Sequence, residues 1–123
     1  MNLDLAPTIL NTAGVNRPAT LDGRDLQSVA NDPNQANDRA ILLEDFFPLG
    51  QEPNVRQVRV DRWSYTEWRT DRELYDLHTD PYELTNLATN PAYTATIAAL
   101  HDRLAKLQDC AGPSCEDSDA ARR

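Results

Sequence analysis

Four groups of residues in this chain are of types that can do chemistry: Cys110 with Cys115, His78 with His101, Glu44 beside Asp45, and the arginines and tryptophans between Arg56 and Arg72. The two cysteines enclose Ala-Gly-Pro-Ser. A zinc site drawn from them and the two histidines fails on spacing, because the histidines lie 23 positions apart instead of within one short motif. A small disulfide loop is the better reading, worth about 2 kcal/mol on a chain-entropy estimate. His78 falls in a turn and His101 on a helix beside its apolar stripe, where packed or exposed histidines are far commoner than catalytic ones. Glu44 and Asp45 have the types of an acid–base pair, but adjacent residues of a strand point to opposite faces and do not converge. Arg56, Arg59, Arg62, Arg69 and Arg72 form a local cluster in a chain with a single lysine, Lys106. Their planar forks suit an oxyanion. The commoner arrangement is a salt-bridged sheet face shared with Glu67, Asp71 and Glu73.

The elements that must position these residues follow from local patterns. Asn2 to Gly14 reads as a short helix with Asp4 as N-cap, Pro7 in its first turn and Gly14 as its stop. Its Leu3, Leu5, Ile9 and Leu10 are too apolar for a solvated helix of this length, which calls for a larger body to cover them. Val15 to Arg39 has the composition of an irregular connector, and Asn31 to Asp38 is its most tolerant stretch. Four strands are expected at Ile41–Phe47, Val55–Val60, Trp63–Trp68 and Glu73–Leu77, forming one antiparallel sheet. In the third strand, Trp63 and Tyr65 share one face and Ser64, Thr66 and Trp68 the other, so each face needs a cover. Asp80-Pro81-Tyr82-Glu83 has the form of a capped helical start. Asn90-Pro91 opens the last helix, where Ile97, Leu100, Leu104 and Leu107 form a stripe for the sheet and Gly112-Pro113 a stop. The fold class is therefore α+β, a small antiparallel sheet of about four strands packed by a C-terminal helix.

Composition narrows the partners. At 123 residues there is room for one core and no second catalytic domain. A net charge of -8 argues against nucleic acid and against anionic membranes, both of which select for Lys and Arg. No stretch approaches the ~18 apolar residues of a bilayer span, and the start of the chain lacks the charged and apolar regions of a signal peptide. The cysteine pair, by contrast, suits an oxidising compartment. That conflict suggests that the front of a longer, secreted or periplasmic protein is missing; the location of this chain itself is left unassigned.

Several segments in this order amount to more than a fold class. They are Asp4-Leu5-Ala6-Pro7-Thr8-Ile9-Leu10, Leu21-Asp22-Gly23-Arg24, Glu73-Leu74-Tyr75-Asp76-Leu77, Asp80-Pro81-Tyr82-Glu83-Leu84 and Asn86-Leu87. Together they resemble the C-terminal third of the sulfatases. The ending from Cys110 to Cys115 is similar to that of the secreted branch related to N-acetylglucosamine-6-sulfatase and arylsulfatases. One departure concerns Val60-Asp61-Arg62-Trp63, which lacks the glycine many relatives carry, so a turn longer than two residues is expected there.

The resemblance implies the following expectations. Residues 1–39 are a helix and connector from a large alkaline-phosphatase-like α/β domain, 40–115 the C-terminal subdomain, and 116–123 a polar, disordered tail. Sulfatases use a formylglycine made from Cys or Ser in a C-x-P-x-R motif, with calcium or another divalent metal on the sulfate. Neither Cys110, Cys115 nor any serine of this chain stands in that motif, and the metal-binding aspartates have no counterpart. No catalytic residue, metal ligand or cofactor is carried over, and the chain is expected to be inactive alone. The small sheet would lie beside the large domain, with Arg56, Arg59, Arg62, Trp63 and Trp68 as candidates for the rim of its substrate cleft. The partners implied are the missing N-terminal sulfatase domain and sulfated glycans. The alternatives are a non-catalytic interaction module, or a split subunit active only with its N-terminal half.

Overall fold

A computed structural model describes residues 2–32, 39–45, 55–111 and 114–115. It divides into two compact units, Met1–Arg39 with Asp109–Arg123, and Ala40–Gln108.

The second unit is built on strands β1 (Ile41–Asp45), β2 (Val55–Val60), β3 (Trp63–Trp68) and β4 (Arg72–Asp76), antiparallel in the order β1-β2-β3-β4. Register fixes the faces. Val58 lies opposite Leu42 and Tyr65, Tyr65 opposite Leu74, and Val60 opposite Trp63. These residues share one face with Glu44, Arg56, Glu67 and Asp76, because directly paired residues point the same way. Helix α3 (Thr94–Asp109) lies on that face, with Gln108 bonded to Glu44 and Arg56 and His101 to Glu67. Val58, Val60, Tyr65 and Leu74 from the sheet and Ile97, Leu100, Leu104 and Leu107 from the helix are all buried. Asn90 caps the helical entry by accepting from the Ala92 N–H, and Pro91 follows in a short 3-10 turn.

The other sheet face carries Leu43, Gln57, Arg59, Ser64, Thr66, Trp68 and Tyr75. The outer edge of β4 is closed by the segment that follows it. Leu87 N–H donates to the Leu74 carbonyl, while the Asn86 side chain accepts from Leu74 N–H and donates to the Arg72 carbonyl. An edge strand with its backbone groups satisfied cannot recruit another strand there.

In the first unit, α1 (Leu5–Thr12) is preceded by a 3-10 turn over Asn2–Asp4. Asp4 does not cap the helix with its side chain, contrary to the sequence reading. Its buried carboxylate accepts instead from the Arg24 N–H (2.9 Å) and from Arg39 Nη1 (2.6 Å). Burial pushes that carboxyl up, but these two partners help hold it below its ordinary value. Gly23 takes φ +95°, and a Cβ there would sit 2.3 Å from the Leu3 carbonyl oxygen, so only glycine lets the two backbones approach.

Three further expectations need correction. The connector contains a short helix, α2 (Leu26–Asn31), because Asp25 accepts from the Gln27 N–H and starts one. Asp80–Glu83 is a turn and not a helical start, since Glu83 adopts φ 55° and Asp80 turns its carboxylate to the Thr85 N–H. The β2–β3 connection is a two-residue turn at Asp61 and Arg62, with Asp61 at φ 52°. Phe46 and Phe47 at the expected end of β1, the 33–38 stretch, Gly112, Pro113 and the 116–123 tail lie outside the described residues. β4 runs one position earlier at each end than its pattern suggested.

Candidate functional site

The turn between β2 and β3 places Arg62 against Asp76 at the end of β4. Arg62 Nε donates to Asp76 Oδ1 at 2.7 Å, and Arg62 Nη2 also bonds Oδ2. The same carboxylate accepts from the His78 N–H at 3.2 Å. The Arg62 guanidinium first, and the His78 N–H after it, hold Asp76 down at about 2. The guanidinium also lies 5.3 Å from the centre of the Trp63 ring, which meets Tyr93 edge-on at 5.8 Å. Arg62 and Trp63 are thus brought together, but as the support of a tight turn.

A second polar group runs from the sheet to α3. Glu67 Oε1 accepts from the Tyr65 hydroxyl (2.7 Å) and from His101 Nδ1 (2.5 Å), and Oε2 pairs with Arg56 at 3.4 Å. Arg56 also donates to Gln108, which donates to Glu44. Burial pushes the Glu67 carboxyl up, but the hydrogen bonds from His101 and Tyr65 and the charge of Arg56 outweigh it and hold it below its usual range. Burial, then the bond to Glu67, pushes the Tyr65 phenol well above its usual value. Sequence reading weighed His101 and Glu67 separately and missed the pair. The available signal was the two-residue spacing of Tyr65 and Glu67, which puts both on the helix-covered face.

Arg59 and Trp68 point the other way. Both lie on the open face, at positions opposite Ser64 and Val55 respectively, and Trp68 is 47% exposed. The buried Ser64 between them accepts from Gln57 Nε2 at 2.8 Å. The five candidate rim residues are therefore split: Arg56, Arg62 and Trp63 stand at the helix-side face and its turn, Arg59 and Trp68 on the open face.

Cys110 and Cys115 form a disulfide, with Cα atoms 5.0 Å apart. Among the described residues no group of three or more His, Cys, Asp or Glu side chains is arranged to hold a metal ion. The most buried acids are already engaged, Asp4 with Arg39 and Asp76 with Arg62. No step of a metal-assisted reaction is derived from these residues.

Residues 1–110 match the family model described as N-sulphoglucosamine sulphohydrolase, C-terminal. A choline-sulfatase from Rhizobium meliloti is 37% identical over 109 residues, covering 82% of this chain and 20% of that protein. Among solved structures, BT4656 in complex with its substrate D-glucosamine-2-N,6-O-disulfate superposes with a TM-score of 0.76 at 23% identity, covering all of this chain and 26% of the other. A phosphonate monoester hydrolase from Silicibacter pomeroyi superposes at TM-score 0.66 with 26% identity, over 85% of this chain and 24% of its own. The chain spans about a fifth to a quarter of the length of these proteins. The order of motifs, the four-stranded sheet with its C-terminal helix and the family match agree, and the chain belongs to the sulfatase family, whose C-terminal portion it carries.

Proposed function

We propose that this chain serves a sulfuric ester hydrolase acting on carbohydrate or aryl sulfates, as the subdomain that walls its substrate cleft, and that it does not turn over a sulfate ester by itself. The observation that carries the reading is the match of residues 1–110 to the C-terminal model of the family. In keeping with it, Cys110 and Cys115 are bonded to each other, so neither thiol is available as the precursor of a formylglycine nucleophile. The nucleophile, and the divalent metal that would polarise the sulfate, would come from a partner N-terminal domain. Within this chain, Arg59 and Trp68 are the candidate rim residues whose side chains remain exposed on a sheet face, one suited to a sulfate and the other to a sugar ring. Arg56 and Arg62 are held by Glu67 and Asp76, which weighs against a glycan-binding module built on the whole arginine cluster.

The test is hydrolysis of 4-nitrophenyl sulfate by the purified chain with calcium or magnesium, beside a complete sulfatase. No turnover by the chain is expected; metal-dependent turnover would overturn the reading. In an enzyme reconstituted with an N-terminal domain, alanine at Arg59 or Trp68 should raise KM, and unchanged kinetics would remove both from the rim.

A further inference from the structure

Five of the nine exposed large hydrophobic side chains lie within the first 26 residues: Leu3, Leu5, Ile9, Val15 and Leu26. Two of them, Leu5 and Ile9, stand four residues apart on α1, which places them one above the other on a single helix face. They are 54% and 66% exposed. The opposite side of α1 is already occupied by the chain itself. Pro7 is buried, Thr8 Oγ1 accepts from the Leu26 N–H at 2.9 Å, and Asp4 at the helix entrance binds Arg24 and Arg39. The helix is therefore pinned through polar contacts and presents its aliphatic side chains outward, the reverse of a solvated helix.

From this face, and resting on the reading given under Proposed function, we infer that the Leu5–Ile9 ridge is an interaction surface whose occupant is the large, nucleophile-bearing domain of a sulfatase. The solved neighbour that contains the whole of this chain uses only 26% of its own length to do so, and the remainder supplies a body large enough to cover the ridge. The chemistry of the ridge selects an apolar complement, because α1 carries no charged residue from Leu5 to Thr12. A membrane surface is disfavoured by the same fact, since helices that lie in an anionic interface carry Lys and Arg on their polar face. The two most exposed apolar residues, Tyr82 (81%) and Leu84 (80%), form no comparable ridge: they alternate with Asp80-Pro81, Glu83 and Thr85 on a hydrogen-bonded turn.

The experiment co-expresses the tagged 123-residue chain with Rhizobium meliloti choline-sulfatase from which the matching segment has been removed. The wild-type chain should co-purify with it. Leu5→Glu with Ile9→Glu should cut recovery by at least about tenfold, the equivalent of losing one small apolar contact, while the far-UV circular dichroism of the chain is unchanged. Leu5→Ala with Ile9→Ala, which keeps a strong helix former at both positions, should lower recovery as well. Tyr82→Ser with Leu84→Ser should leave it at the wild-type level. The inference is overturned if the wild-type chain is not recovered, if the glutamate variant is recovered like wild type, or if the ridge instead mediates self-association or vesicle binding. Turnover by the chain alone would overturn the proposed inactivity and leave the ridge standing; equal recovery of the glutamate variant would do the reverse.

Discussion

Asp76 is the best place to perturb the sheet unit, because one buried carboxylate there satisfies two nitrogens of Arg62 and the backbone of His78. Asp76→Asn keeps the shape and one acceptor oxygen but removes the charge and turns an amide N–H toward a guanidinium. Hydrogen bonds to charged groups contribute roughly 1.5–3 kcal/mol each in mutational series. The Arg62 side chain is 39% exposed, so water recovers part of its guanidinium, and the net loss falls to about 1–2 kcal/mol. With a urea slope of roughly 1–1.5 kcal/mol per molar for a small protein, the unfolding midpoint should fall by about 1 M. Tryptophan fluorescence reports it directly, since Trp63 and Trp68 both lie in β3. The pH dependence gives an independent check. Asp76 titrates at about 2 in the folded chain against an ordinary 3.8, so between those values the unfolded chain binds more protons and stability rises with pH. The contribution of Asp76 is fully present above the higher value and is lost as pH falls through the lower one. Wild type and Asp76→Asn should therefore differ at neutral pH and converge between pH 4 and pH 2. Equal midpoints at pH 7, or a gap that persists unchanged at pH 2, would refute the argument.

Other expectations follow from single residues. Gly23→Ala places a Cβ against the Leu3 carbonyl at an unfavourable φ and should cost about 3 kcal/mol, read as a roughly hundredfold faster hydrogen exchange at the Arg24 amide; unchanged protection would show that the backbone gives way. Tyr65→Phe removes a fully buried hydroxyl from Glu67 and should cost about 1–2 kcal/mol, with a coupling to His101→Ala of about 0.5 kcal/mol or more in a double-mutant cycle; strict additivity would mean that Glu67 does not link them. Reducing the Cys110–Cys115 bridge, which belongs with the first unit, should leave the urea midpoint read by the β3 tryptophans within about 0.3 M of the oxidised chain. A larger shift would show that the bridge supports the sheet.

The sheet was legible because its signal is local. Val-Arg-Gln-Val-Arg-Val and Trp-Ser-Tyr-Thr-Glu-Trp alternate with the period of a strand, and both run between the expected ends. The stripe Ile97, Leu100, Leu104, Leu107 gave the covering helix for the same reason. What escaped the sequence was pairing at a distance. Glu67 and His101 are separated by 34 positions and Arg62 and Asp76 by 14, and no periodicity says which acid meets which base across a fold. The turn at Asp61 and Arg62 was misjudged because aspartate tolerates the left-handed region better than most residues, and Arg62 is anchored from outside the turn by Asp76. The Asp80–Glu83 segment carries the letters of a capping box, but Asp80 bonds the Thr85 N–H and the chain leaves the helical path at Glu83. As for the rim, residue types marked Arg56, Arg59, Arg62, Trp63 and Trp68, while the face each would occupy depended on a register that composition does not contain.

Many of the residues by which the chain resembles its family hold the polypeptide to itself. Asp4 binds Arg24 and Arg39, Gly23 allows the approach to Leu3, Asp76 holds the β2–β3 turn, Asp80 closes the turn after β4, and Asn86 seals the β4 edge. These contacts specify a scaffold and leave the choice of ester open, which fits a subdomain whose fold also occurs in a phosphonate monoester hydrolase. Selectivity must then be sought among side chains the scaffold does not use. On the open sheet face that means Arg59 and Trp68, four β3 positions apart by register, a separation of about 13 Å along a strand, enough for a charged group and a stacking ring to meet different parts of one extended substrate.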